Sequence, residues 1–285
     1  MELESTLPPD APNRTSCARN TLGIKKSSFS IIVRSIGFHP YRYRLRPALK
    51  DVHKQQRIQF SQWISTLTFD DLKHTVFSDE ANFTLTGAIN RQNCVIYAHK
   101  KNKGGVGKPK SAVWTTEKHP NKVMVFLAIF RHQPFALTFF ESEERMNSEM
   151  YLELLKKTVI PELTWRNGGT LENIFWTQDG APCHRSQEVM EYLDQKFGDH
   201  VIGLNSIRGQ VWPPQSPDLN PLDFCIWGYL KSKVYFPRPK TLTELKTRIQ
   251  QEISLIPMDM IGRAVNSLKG RAELYLQNEG GHFEE

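Results

Sequence analysis

Residues 173–184, NIFWTQDGAPCH, decide how this chain is read. The apolar run Ile174, Phe175, Trp176 has the length and composition of a buried strand, and it leads to Asp179 just before Gly180 and Pro182 bend the backbone sharply. That bend frees the carboxylate from the sheet. A second stretch has the same shape: in residues 75–85, TVFSDEANFTL, the apolar start runs into Asp79. An ionised carboxylate on a half-buried strand is costly unless it is paired, hydrogen-bonded or bound to a metal ion. If the two strands are neighbours, their acids converge.

A third acid, Asp223, falls in the first turn of a helix that begins near Pro221, after the proline-rich turn VWPPQSP at 211–217. Three close carboxylates repel and raise one another's pKa unless divalent cations neutralise them. Mg²⁺ prefers such an all-oxygen setting and takes few protein ligands plus substrate phosphate oxygens; Mn²⁺ is expected to substitute. Two such ions roughly 3.5 to 4 Å apart suit an in-line phosphoryl displacement, so the chemistry indicated is phosphodiester cleavage or transfer.

Each acid also has an ordinary explanation. Asp79 and Asp179 fit strand-end turn residues. With Asn220 as N-cap and Pro221 at the first helical position, Asp223 stands where a carboxylate completes a capping box. Asp218, in SPDLNP, is either a rival third ligand or a turn acid between prolines, and Glu80 should face away from Asp79. His184 is an auxiliary candidate for phosphate or metal, or else a structural histidine. Trp212, Phe224, Trp227 and Tyr229 read as core and helix packing. Spacing alone leaves these alternatives open.

Working outward, strands are expected at TVFSDEANFTL, NCVIYAH (93–99), KVMVFLAIF (122–130) and PFALTFFE (134–141). A helix follows over Ser148 to Leu163, then the NIFWTQ strand, a helix over Ser186 to Phe197, a short VIGL strand at 201–204, and a helix from Pro221 to Val234. Antiparallel strands followed by alternating α and β give an α/β domain with a mixed sheet flanked by helices. The stretch from Thr241 to Asn278 should be helical and close against it. Ahead of the sheet, Lys50 to Leu67 reads as a long leading helix with Val52, Ile58, Phe60, Trp63, Ile64 and Leu67 on its apolar side.

Composition bounds the function. With 285 residues, 39% hydrophobic and 24% charged, the chain can bury a core, and wholesale disorder is excluded. The longest apolar run, Val123 to Phe130, falls far short of the roughly 18 residues that cross a bilayer, so no membrane partner is expected. The start, MELESTLPPDAPNRTS, is not a secretory leader, and the four widely spaced cysteines read as reduced thiols, which together place the chain in cytosol or nucleus.

Charge is unevenly distributed. Residues 1–60 hold eleven Lys or Arg against four Asp or Glu, which is the whole of the net +7. Such asymmetry suits an end that grips a polyanion, although a solvated lysine-rich face is equally compatible. Within it, TLGIKKSSFSIIVRSIGFHPYRYRL (21–45) has a tight turn at Gly23 and a helix start at Ser27 and Ser28. Phe29, Ile32, Val33 and Ile36 follow at helical spacing, as in the second half of a helix-turn-helix. Lys25, Lys26, Ser27, Ser28, Arg34 and the alternating Arg42, Arg44 and Arg46 are the candidate DNA contacts there. Lys100, Lys101 and Lys103, in the basic loop HKKNKGGVGKPK (99–110), join them.

SDEANF around Asp79, TQDGAPCH around Asp179 and WPPQSPDLNPLDFCIWGYLKSKV around Asp223 resemble, in that order, the catalytic motifs of Tc1/mariner-type transposases. MNSEMYLELLKKTVIPEL (146–163) and GGHF (280–283) extend the likeness to most of the chain from Thr21. The resemblance implies an RNase H-like catalytic domain of the DDE/DDD superfamily, with Asp79, Asp179 and Asp223 as catalytic metal ligands for Mg²⁺. The third acid, after PL in NPLD, is the mariner-like choice, where the Tc1 branch carries Glu. It further implies cleavage and transfer of double-stranded DNA at transposon terminal inverted repeats and into target DNA, by a homodimer working in the nucleus.

Two departures accompany the likeness. The family normally starts with two helix-turn-helix units, of which this sequence shows only the end of the second, so the chain reads as N-terminally truncated. The interval from Asp179 to Asp223 is 44 positions, longer than in well-known members, with GDHVIGLNSIRGQ (198–210) as the added length. The expected organisation is a disordered tail over 1–20 and a partial helix-turn-helix with basic linker over 21–50. A leading helix and catalytic domain occupy 51–240, the sheet starting near 74, and C-terminal helices fill 241–285. The alternative function is a non-catalytic, domesticated DNA-binding protein, which salt-dependent binding without metal-stimulated cleavage would reveal.

Overall fold

The computed structural model describes residues 48–85, 121–141 and 146–282, together with Ser28, Ile31, Ile32 and Ser35. The chain divides into two units, Met1–Ala48 and Leu49–Glu285. In the first, Ser28, Ile31, Ile32 and Ser35 are helical and exposed, and the Ser35 hydroxyl donates to the Ile32 carbonyl at 2.8 Å. Lys25, Lys26, Ser27, Arg34, Arg42, Arg44 and Arg46 lie outside the described residues, as do the NCVIYAH strand and the lysine loop with Lys100, Lys101 and Lys103.

The second unit opens with α1 (Asp51–Thr66) and the short α2 (Phe69–Lys73), whose N-terminus is capped by Thr68 and Asp71 in reciprocal hydrogen bonds. Then come β1 (Thr75–Thr84), β2 (Lys122–Phe130) and β3 (Gln133–Phe140). One continuous helical stretch follows, built from α3 (Ser148–Leu154), a wide π-helical turn (Leu155–Val159) and α4 (Ile160–Arg166). After β4 (Phe175–Thr177), α5 (Gln187–Phe197) and β5 (Val201–Ile202), a 3₁₀ turn at Pro217–Leu219 precedes a second π-helical turn, Leu222–Ile226, which runs into α6 (Trp227–Val234). Helices α7 (Leu242–Ser254) and α8 (Met258–Gln277) complete the unit.

The five strands form one mixed sheet in the order β3-β2-β1-β4-β5. β1 is antiparallel to β2 and β2 to β3, whereas β1 with β4 and β4 with β5 run parallel. This is the mixed sheet that the order of sequence patterns predicts. β2 is apolar along nearly its whole length because both its faces are covered. Val123, Val125, Leu127 and Ile129 join Phe77 and Phe83 against α6, α7 and α8, while Phe126, Ala128 and Phe130 join Val76 and Trp176 against α3, α4 and α5. Helices therefore cover the sheet on both sides, and alternate residues of β1 serve different cores.

A third cluster ties the ends of the unit together: Phe60 and Ile64 of α1 meet Trp212, Ala272 and Tyr275. Fully buried Arg57 runs through it. Its guanidinium donates to the Ser216 hydroxyl at 3.0 Å and to the Gln215 carbonyl, and lies 5.0 Å over the Tyr275 ring. The turn at 213–217 is thereby fastened from behind. Among the described residues no helix is long and apolar enough to cross a membrane.

Candidate active site

The β1–β4 register sets the site. Val76 lies opposite Trp176 and Phe77 opposite Thr177, an offset of 100 residues that, carried two residues further, brings Asp79 level with Asp179. Parallel neighbours are about 4.8 Å apart, so Asp79, midway along β1, lies level with the point where the chain leaves β4 toward Asp179. Ser78 joins three elements at this level. Its hydroxyl donates to the Thr177 carbonyl at 2.9 Å, and its own carbonyl accepts from Asn220 Nδ2 at 3.2 Å. Asn220 in turn accepts from the Leu222 amide at 3.2 Å, which places the π-helical turn, and Asp223 within it, over the middle of β1. Wide turns of this kind are frequent at functional sites.

Asp223 is not a helix cap. Its carboxyl group is within hydrogen-bonding range of Asp79, and the two titrate together. Asp79 is held well above the usual carboxylate range, first by burial, then by the charges of Asp223 and Glu80; a hydrogen bond from Trp227 opposes the rise. Asp223 is pushed up to about 6 by burial and by the charges of Asp179 and Asp218, against the pull of its Asp79 contact and of Lys231. Two carboxylates this close cannot both ionise cheaply. Asp218, the rival third ligand, is buried and faces the Tyr275 hydroxyl instead.

Asp179 has the opposite environment. The Ala181 amide donates to its Oδ1 at 2.9 Å and His184 Nδ1 lies 2.6 Å from the same atom. Burial would raise its pKa, but the hydrogen bond and charge of His184, with the Ala181 amide, bring it below the ordinary value. His184 is 2% exposed, and its Nε2 reaches Glu80 Oε1 at 3.2 Å across the sheet face that Asp79 does not share. Burial alone would depress its pKa; Tyr151, Glu80 and Asp179 reverse that, so it is raised well above the imidazole norm. The Tyr151 ring lies 4.2 Å from the imidazole, and its hydroxyl donates to Gln178, whose amide donates to the His184 carbonyl at 2.8 Å. His184 is thus a buried link between Asp179 and Glu80, and Glu80 points away from Asp79 as strand alternation requires.

Beside Asp179 and Asp223 opens a cleft of ≈ 330 Å³, walled by Leu204, Trp212, Pro214 and Pro217, with Gln215 and Asn220 among its polar groups. Of the predicted site residues, Asp223 approaches both Asp79 and Asp179 where β4 ends, and His184 lies against Asp179. The oxygens of the three acids suit a hard divalent cation, because the set is all carboxylate and two members lie within hydrogen-bonding range of each other. Among the described residues, however, no three His, Cys, Asp or Glu side chains stand ready to hold an ion together. Sequence patterns missed Ser78, Gln178 and Tyr151, whose roles depend on contacts between distant segments. They also missed the polar role of Trp227, whose indole N–H donates to Asp79 Oδ2 at 2.7 Å.

Residues 74–246 match the DDE superfamily endonuclease family. The chain is 24% identical over 252 residues to the Tcb2 transposable-element transposase of Caenorhabditis briggsae, covering 87% of this chain and 84% of that one. It is 24% identical over 266 residues to the Tc3 transposase of Caenorhabditis elegans, covering 90% and 70%. Its fold is similar to that of the Mos1 transposase in a paired-end complex with the left transposon end, with a TM-score of 0.73 and 17% identity over 99% of this chain and 79% of that one. The catalytic domain of Mos1 mariner transposase alone gives 0.61 at 15% identity, over 85% of this chain and all of that one. With its carboxylates gathered where β4 of an RNase H-like mixed sheet ends, the chain belongs to the DDE superfamily endonucleases and is a transposase of the Tc1/mariner type.

Proposed function

We propose that this chain cleaves and transfers phosphodiester bonds of double-stranded DNA at transposon ends, with Asp79, Asp179 and Asp223 as the ligands of two divalent ions, Mg²⁺ or in its place Mn²⁺. The observation that carries this reading is the Asp79–Asp223 contact beside Asp179, where burial and like charge raise both carboxyl groups although Lys231 opposes the rise at Asp223. When bound, the ions supply activation of the attacking oxygen and stabilisation of the leaving one. The chain's own contribution is placement: the Ser78 and Asn220 hydrogen bonds fix the three acids relative to one another, and the cleft admits a strand to Asp179 and Asp223.

The named Mos1 assemblies include complexes with Mg and with Mn, a paired-end complex and a strand transfer complex. By that likeness, two copies of this chain are proposed to pair on transposon ends and then engage target DNA. The basic N-terminal stretch and the 99–110 loop would hold the backbone, where each neutralised phosphate releases a counterion. The proposed place of action is the nucleus, where chromosomal DNA lies.

One observation favours the non-catalytic alternative: Asp179 is turned toward His184, and the described residues hold no ready three-ligand group. An assay on duplex DNA carrying the element's terminal inverted repeats separates the two. Nicking that requires Mg²⁺ or Mn²⁺ and disappears in Asp79→Ala, with DNA binding retained, supports the enzyme. Salt-dependent binding with no metal-stimulated cleavage selects the alternative.

A further inference from the structure

Asp79 is the acid whose place is hardest to keep. It is largely buried, its neighbours Asp223 and Glu80 are both acidic, and its β1 backbone is fixed by pairing with Leu127. Only rotation of the side chain remains, and the like charge of Asp223 beside it offers no hydrogen-bond donor when ionised. A single side-chain donor resolves it. Trp227, at the start of α6 and 4% exposed, directs its indole N–H to Asp79 Oδ2 at 2.7 Å. The indole is itself immobilised, edge-on to Phe83 with ring centroids 6.0 Å apart.

The choice of donor has a consequence for charge. An indole N–H donates without being ionisable, so it orients the carboxylate while leaving the negative surplus of the site for a cation. Trp227 follows Asp223 by four residues across the π-helical turn, so a single helical segment supplies one acid and fixes another.

We propose that Trp227 is a positioning residue for the divalent ions: its indole N–H holds Asp79 Oδ2 so that the other carboxylate oxygen faces the ion site. This rests on the metal-dependent reading of the site given above. Partners that orient metal ligands typically contribute a factor of about 10 to 100 in metal affinity.

The test is Trp227→Phe in the full chain, which retains an aromatic ring against Phe83 and removes the N–H. Mn²⁺ binding is measured by titration calorimetry, with the nicking rate followed on the same preparations. The expected result is a dissociation constant at least about tenfold weaker, a lower kcat at limiting Mn²⁺ with KM for DNA unchanged, and recovery of kcat at high Mn²⁺. Mn²⁺ affinity and kcat equal to wild type overturn the inference and leave the function standing. A wild-type chain that takes up no Mn²⁺ overturns both.

A measurement on wild type needs no variant to fold. In protein carrying ¹⁵N-labelled indoles, one of the six tryptophan indole N–H resonances should move on Mg²⁺ saturation, because the acceptor of Trp227 becomes a metal ligand. Six unmoved resonances at saturating Mg²⁺ overturn the inference.

Discussion

Asp79 and Glu80 are adjacent in sequence and face opposite sides of β1, and their surroundings differ in one respect that matters. On the Glu80 side a buried histidine bridges Glu80 and Asp179, so negative charge is met by a protein cation. On the Asp79 side the partner is another carboxyl group, Asp223, and the nearest donor is neutral. The first arrangement is complete as a structural ion cluster. The second is not: burial and like charge raise both carboxyl groups, with Lys231 opposing the rise at Asp223. Two neighbouring acids on one strand have thus been given different tasks by the helices laid against each face.

The comparison can be broken most sharply at Asp79. Asp79→Ala should lower metal-dependent nicking at least about 10³-fold, the scale seen when a group stabilising transition-state charge is removed, while DNA binding in a mobility-shift assay stays near wild type. Loss of binding in parallel would mean that the residue serves the fold rather than the chemistry.

On the other face the largest effect should be on stability. His184→Ala leaves Glu80 buried without its partner and frees Asp179, costing about 3 kcal/mol, read from urea unfolding at neutral pH. Asp223→Asn works in the reverse direction. It removes the like charge beside Asp79, so the metal-free chain at pH 7.5 should gain roughly 1 kcal/mol after allowance for solvent, while the stabilisation conferred by Mn²⁺ disappears. A variant destabilised by that change would contradict the account of the pair.

The smallest effect is a pH dependence whose sign at Asp179 is opposite to that of the Asp79–Asp223 pair. Asp79 and Asp223 have raised pKa values when folded, so their contribution to the stability of the metal-free chain is full below about pH 4. It is lost as pH rises through about 6 for Asp223 and through the raised midpoint of Asp79. Asp179, with a lowered pKa, contributes above its unfolded value and loses that contribution as pH falls. His184, raised, contributes below its unfolded value and loses that as pH rises through its folded midpoint. Mn²⁺ should therefore raise the melting temperature by several degrees more at pH 7.5 than at pH 5, a difference that scanning calorimetry resolves.

How much of this was legible in the sequence depends on distance along the chain. NIFWTQD and TVFSD carry their strand character and their terminal acids within a few residues, so both the sheet and two of the three acids could be read locally. Asp223 was ambiguous, since NPLD is equally a good helix start. What removed the capping reading is contact with Asp79, 144 positions away, which no local pattern contains. Trp227 was read as packing, which it does against Phe83, but its N–H has a second use visible only when α6 is laid over β1. Ser78 and Asn220 are the same kind of case: ordinary polar residues whose importance comes from the elements they join. The basic N-terminal stretch was legible as charge, and the contacts assigned to it remain expectations from that charge and from the family resemblance.

The central claim is that the acid pair on the open face is held for cations. Mn²⁺ anomalous scattering from crystals of the full chain tests it most directly. The account expects an anomalous peak shared by oxygens of Asp79 and of Asp179 or Asp223, with the direct Asp79–Asp223 contact opened and His184 still on Asp179. Crystals saturated with Mn²⁺ that keep the Asp79–Asp223 contact closed, with no peak between those oxygens, would contradict it.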